Sequence, residues 1–246
     1  RSNNYTADIV FLDRLIAIIP SIVDDEAIPG IPAVYFSGDE NTMVFALSEQ
    51  ESDETFDEIM AHLNALTGLY EVKRQIREHA IYIRFLQIRQ KRGFDMDKGM
   101  DVHSIFIGNP GTGKTTVARM MGKLYRKMGL LSSGHTVIAD RVDLVGEYIG
   151  QTAPKTREVI DKARGGVLFI DEAYALARSN DDGKDFGREV IEILVKEMSN
   201  GPGDIAVIVA GYPEELKRFL DSNTGLNSRF KPNYDFRDFI PHDTST

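Results

Sequence analysis

Apolar positions along this chain fall into short alternating clusters, and the rhythm of those clusters predicts its elements. Ile9, Leu12, Ile16 and Ile19 recur at helical spacing and predict a short amphipathic helix over 8–19. Residues 24–32 carry Asp-Asp-Glu, two prolines and a glycine, and read as a loop. Two short apolar runs, 33–36 and 43–47, flank Gly38-Asp39-Glu40-Asn41 and predict a hairpin. An acidic stretch over 49–58 links to the next element. A long helix is predicted over 70–92, with Val72, Ile76, Ile83 and Leu86 on one stripe and Gly93 as its stop.

From residue 103 the rhythm changes. Short runs at 103–107, 135–139, 167–170 and 205–210 read as strands, with a final strand near 233–237. Between them, 114–128, 154–164, 186–199 and 213–221 read as helices. Short apolar strands alternating with helices imply an α/β fold: a parallel sheet of five strands, covered by helices on both faces. The expected organisation is a small appendage over 1–50, a linker and start of the core over 51–65, the α/β core over 66–240, and a tail over 241–246.

Composition adds limits. A chain of 246 residues, 42% hydrophobic and 27% charged, suits a soluble α/β domain with a small extra unit. With no cysteine, disulfides, thiolate catalysis and Cys-ligated zinc are excluded, and a cytoplasmic location is compatible. No membrane span is expected, because the best apolar stretch, 9–23, is broken by Asp13, Arg14 and Pro20. The first residue is Arg1 rather than Met, as in a fragment or a processed chain. The net charge of −9 is concentrated: residues 1–54 hold two of the 29 basic and eleven of the 38 acidic residues, so the remainder is balanced. That pattern argues against a nucleic-acid-binding arm, and the acidic segment reads as a solvated one. The basic residues of the long helix (Lys73, Arg74, Arg77, Arg84, Arg89, Lys91, Arg92) suit an anionic partner or, more ordinarily, a solvated face.

Chemistry enters at Gly108-Asn109-Pro110-Gly111-Thr112-Gly113-Lys114-Thr115-Thr116, which follows a strand and opens a helix. Glycines there let successive backbone N–H groups face phosphate oxygens, and the helix N-terminus adds its dipole. Lys114 reaches the β- and γ-phosphates, and the Thr115 hydroxyl is placed for Mg²⁺. The ligand class is therefore a nucleoside triphosphate with magnesium. The apolar run 167–170 ends in Asp171 and Glu172, which places both acids at a strand's carboxyl end beside this loop. Asp171 suits the metal shell and Glu172 suits a base for the attacking water. Arg229, in Ser228-Arg229-Phe230, either stabilises charge on a γ-phosphate or pairs with an acid such as Asp235 or Asp238. Tyr148 and Ile149, flanked by Gly146 and Gly150, form either an exposed grip for a polypeptide or, for Tyr148, a contact with the core.

These motifs together resemble an AAA+ ATPase. The narrower likeness is to the subgroup containing stage V sporulation protein K and the red-type Rubisco activase. It is carried by Leu66-Thr67-Gly68-Leu69-Tyr70-Glu71-Val72-Lys73, by the Asp143–Thr156 stretch, by Phe169-Ile170-Asp171-Glu172-Ala173-Tyr174, by Ala210-Gly211-Tyr212 and by Gly225-Leu226-Asn227-Ser228-Arg229-Phe230. The resemblance covers about 60–238 and leaves 1–50 outside. It implies ATP and Mg²⁺ as ligands and a homo-oligomeric ring, usually a hexamer. Arg229 would serve the neighbouring subunit's site in trans, and Tyr148 and Ile149 would form a pore loop on a polypeptide client. Gly68 and Leu69 would lie over the adenine, with the P-loop residues Asn109 to Thr116 holding the phosphates. Tyr212 stands where many relatives carry a polar Asn that senses the γ-phosphate. The family's helical lid is not expected from 239–246, which implies truncation or a natural lack of the lid. An ATP-driven protein remodeller is the leading expectation. A nucleotide-gated scaffold with little hydrolysis is the alternative, and a DNA motor is disfavoured by the balanced core and the lack of a basic, aromatic groove.

Overall fold

The computed structural model describes residues 33–36, 43–46, 54–93, 102–177, 186–201 and 203–236. The chain divides into two compact units, Arg1–Asp53 and Glu54–Thr246. In the first, β1 (Ala33–Phe36) pairs antiparallel with β2 (Met43–Ala46), as the hairpin pattern predicts. The expected helix over 8–19, the loop over 24–32 and the tail over 241–246 lie outside the described residues.

The second unit begins with a helix where the sequence suggests an acidic link. α1 (Phe56–Ala65) starts at a capping box: the Glu58 amide donates to the Thr55 hydroxyl at 3.2 Å, and the Thr55 amide donates to the Glu58 carboxylate at 2.7 Å. Phe56, Ile59, Met60 and Leu63 form its buried face. The long helix α2 (Tyr70–Lys91) ends close to its expected boundary. Its basic face needs one correction: Lys73 is 9% exposed, with its ammonium turned onto the end of α1 rather than into solvent.

Five parallel strands follow: β3 (Ser104–Gly108), β4 (Thr136–Ala139), β5 (Val167–Ile170), β6 (Ala206–Gly211) and β7 (Asn233–Phe236). Their spatial order is β4-β5-β6-β3-β7. Every residue of β5 and β6 is buried, which explains why those strands read as unbroken apolar runs. Phe106 of β3 is fully buried at the centre, with the rings of Phe169, Tyr234 and Phe236 at 6.2, 5.5 and 4.8 Å. The connecting helices are α3 (Lys114–Lys127), the short α4 (Arg141–Leu144), α5 (Thr152–Ala163), α6 (Phe186–Asn200), α7 (Pro213–Asp221) and α8 (Thr224–Arg229). A 3₁₀ turn spans Ala173–Ala177. Among the described residues, no helix is long and apolar enough to cross a membrane.

This strand order fixes where chemistry can occur. β6 lies between β5 and β3, so the carboxyl ends of all three meet on one edge. Asp171-Glu172, Gly211-Tyr212 and the loop after Gly108 emerge there, the place where open α/β sheets hold ligands.

Candidate functional site

The loop from Gly108 to Gly113 takes its shape from three glycines. Gly111 and Gly113 adopt φ of +77° and +91°, the left-handed region that residues with a Cβ resist. At Gly108 a Cβ would lie 2.4 Å from the Phe236 carbonyl oxygen of β7, so only glycine fits against that strand. Gly113 is the N-cap of α3 and brings no side-chain cap. The first N–H groups of α3 therefore remain available to an anion, with the helix dipole behind them.

Side chains complete the cradle. The Thr112 hydroxyl donates to the Asn109 carbonyl at 2.8 Å and closes the loop on itself. The Lys114 ammonium donates to the carbonyls of Gly108 and Asn109, at 2.8 and 2.7 Å. Burial draws its pKa below the usual lysine value, and the Asp171 charge acts in the opposite sense. Phosphate oxygens would offer this buried cation stronger acceptors than neutral carbonyls do.

A cavity of about 350 Å³ opens at this point, and Lys114, Thr115, Asp171, Glu172 and Tyr212 line it together with the loop glycines. Glu172 is exposed and holds φ of +49°, one of three non-glycine residues with positive φ among those described. Its amide donates to Asp171 Oδ1 at 3.0 Å, while the Asp171 amide donates to the Ala139 carbonyl of β4 at 3.0 Å. Such a backbone departs from the extended strand conformation, and β5 ends just before it, at Ile170. One hydroxyl and one carboxylate, from Thr115 and Asp171, form a donor set of the kind magnesium uses when phosphates and water supply its other ligands. The Tyr212 ring packs on the buried Tyr174 ring at 6.1 Å, which braces one cavity wall.

Gly68 and Leu69 approach from the turn between α1 and α2, with φ of +65° and +57°. Leu69 Cδ1 lies 3.7 Å from where a Cβ on Gly113 would stand, so this turn closes over the end of the 108–113 loop. Arg229, at the end of α8, does not line the cavity of its own chain. Its guanidinium donates to the Gly225 carbonyl at 3.1 Å and the Ser228 hydroxyl at 2.9 Å. Nearby, the His103 ring stacks edge-on against Phe230 at 6.4 Å and accepts the Val207 amide at 3.0 Å. Burial, with the Arg229 charge as a lesser cause, pushes the His103 pKa down to about 4.

Tyr148 and Ile149 are 68% and 74% exposed, so Tyr148 does not pack on the core. Their turn is well defined. The Gly146 amide donates to the buried Thr152 hydroxyl at 3.1 Å, and the Tyr148 amide donates to the Gln151 side chain at 3.3 Å. At the base of the turn, the Thr156 hydroxyl donates to the Leu144 carbonyl at 2.9 Å. Two large exposed side chains thus stand on a hydrogen-bonded turn. In the sequence Lys73 reads as one residue of a basic helix face, and neither it nor His103 stands out as a site residue. The only signal for His103 was a lone histidine at the start of an apolar strand.

The family model for the ATPase family associated with various cellular activities (AAA) matches residues 104–237. Stage V sporulation protein K of Bacillus subtilis (strain 168) is 50% identical over 182 residues, which are 74% of this chain and 56% of that protein. The chloroplastic ribulose bisphosphate carboxylase/oxygenase activase of Cyanidioschyzon merolae is 47% identical over 178 residues, 72% of this chain and 60% of that one. Protein CbbX of Cereibacter sphaeroides is 48% identical over 174 residues, 71% and 56% of the two chains. The chain thus spans from 56% to 60% of the length of these three relatives.

Proposed function

The chain belongs to the ATPase family associated with various cellular activities, and on that premise we propose that it hydrolyses Mg-ATP to remodel a protein client as part of a homo-oligomeric ring. One observation carries the hydrolytic part: Lys114, Thr115, Asp171 and Glu172 line a single cavity, with Glu172 set off from Asp171 by its left-handed backbone. The P-loop amides and Lys114 hold the β- and γ-phosphates, and Thr115 and Asp171 hold the magnesium. Bound magnesium supplies charge neutralisation on the phosphates. Glu172 accepts a proton from the water that attacks the γ-phosphorus. The bond from that phosphorus to the β,γ-bridging oxygen breaks, and ADP and inorganic phosphate leave.

Arg229 acts in trans on the neighbour's γ-phosphate, a reading supported by its position outside its own chain's cavity. Tyr148 and Ile149 engage the client through apolar contact, supported by their exposure on a braced turn. The likeness to an activase of ribulose bisphosphate carboxylase/oxygenase supports a folded protein as client.

Two variants and their mixture test this reading in the natural protein. Glu172→Gln is expected to bind ATP and to lose nearly all turnover. Arg229→Ala is expected to be inactive alone. An equal mixture of the two recovers activity at about a quarter of the sites, because some interfaces then pair an intact Glu172 with an intact Arg229 from the next subunit. Normal turnover by Glu172→Gln overturns its role as base, and a mixture without recovery overturns the shared site.

A further inference from the structure

Lysine is among the side chains least often buried, yet Lys73 is 9% exposed. Its ammonium has three protons to place. One goes to the Asn64 carbonyl at 2.9 Å and one to the Leu66 carbonyl, and the nitrogen stands 5.6 Å from the centre of the Tyr70 ring. Asn64 is in the last turn of α1 and Leu66 is its C-cap, so Lys73 satisfies carbonyls that a helix end leaves without partners. Arg77, one turn along α2, adds a hydrogen bond to the Asn64 side chain at 3.3 Å.

The segment closed by these contacts is the Leu66-Thr67-Gly68-Leu69 turn. Two of its residues hold positive φ, and Leu69 does so with a branched side chain and no side-chain cap on α2. That conformation places Leu69 Cδ1 against Gly113, at the end of the phosphate loop. Nothing local to Leu69 favours it; the surrounding contacts do. We propose that Lys73 is a positioning residue: a clasp that fixes the 66–69 turn over the phosphate loop and so shapes the site for the nucleoside half of the ligand. The proposal rests on the reading of the cavity as an ATP site. It adds that binding of the base depends on a cation that touches neither base nor phosphate.

Calorimetric titration of the natural protein with Mg-ATP and with magnesium tripolyphosphate, which lacks the nucleoside, tests this. The wild type is expected to prefer ATP. Lys73→Met is expected to weaken ATP by about tenfold while tripolyphosphate affinity stays unchanged. Lys73→Gln, which can still donate to one carbonyl, is expected to lose part of the preference, and it serves as the test if Lys73→Met does not fold. An equal loss for both ligands, or no loss for either, overturns the clasp. A wild type that binds the two ligands equally overturns the base site itself, and the clasp with it, a result distinct from failure of the lysine alone.

Discussion

Glu172 combines two demands on one residue. Its side chain is proposed as the base for water, while its backbone holds φ of +49°. For a residue with a Cβ this region costs about 1–2 kcal/mol. Replacement by glycine removes that strain but restores some freedom to the unfolded chain. Glu172→Gly is therefore expected to raise stability by about 0.5–1 kcal/mol in urea unfolding while abolishing ATP turnover. A variant that loses both stability and turnover would place the strain elsewhere. The chemistry at this residue was legible in the sequence because Asp171-Glu172 follows an unbroken apolar strand. The backbone strain was not, since it arises where β5 gives way to the 3₁₀ turn and depends on tertiary contacts.

At the scale of elements, the strands and the longer helices of the core were readable, and the shortest helices were not. β5 is found at its expected residues, and α7 begins at Pro213 in the first helical position, as proline favours. α4 and α8 run for four and six residues, less than two turns, so no apolar period can identify them. Their caps could have done so: Asp140 before α4, in a box with Asp143 inside the helix, and Asn223 before α8. α1 carries both signals, a Thr55/Glu58 box and apolar residues at helical spacing, but its first turn lies within an acidic stretch whose composition equally fits a linker. Thr55→Ala is expected to cost about 1 kcal/mol in thermal unfolding and to loosen α1. No change in melting temperature would show that packing alone holds the helix start.

The whole molecule has a pH dependence set partly by His103. Its ring links the start of β3 to β6 and props Phe230, and its folded pKa is about 4 against 6.5 for the ordinary group. The unfolded chain therefore binds a proton more readily, so stability present above pH 6.5 is lost as pH falls toward 4. The full effect amounts to about 3 kcal/mol. Urea midpoints measured at pH 7 and at pH 4.5 are expected to differ less in His103→Gln than in the wild type. An equal difference between the two midpoints in both proteins would remove His103 from this role.

The position of β3 within the sheet also has a consequence in time. This strand leads into the 108–113 loop and leaves the ribosome before the four others of its sheet. Its two neighbours, β6 and β7, follow roughly a hundred residues or more later. During synthesis, β3 must wait without either of its partners, and Gly108 meets Phe236 only when the last strand docks. On the proposed reading, ATP would come too late to assist the early stages of folding, because Lys114, Asp171, Glu172 and Tyr212 surround one cavity only after most of this unit has been made.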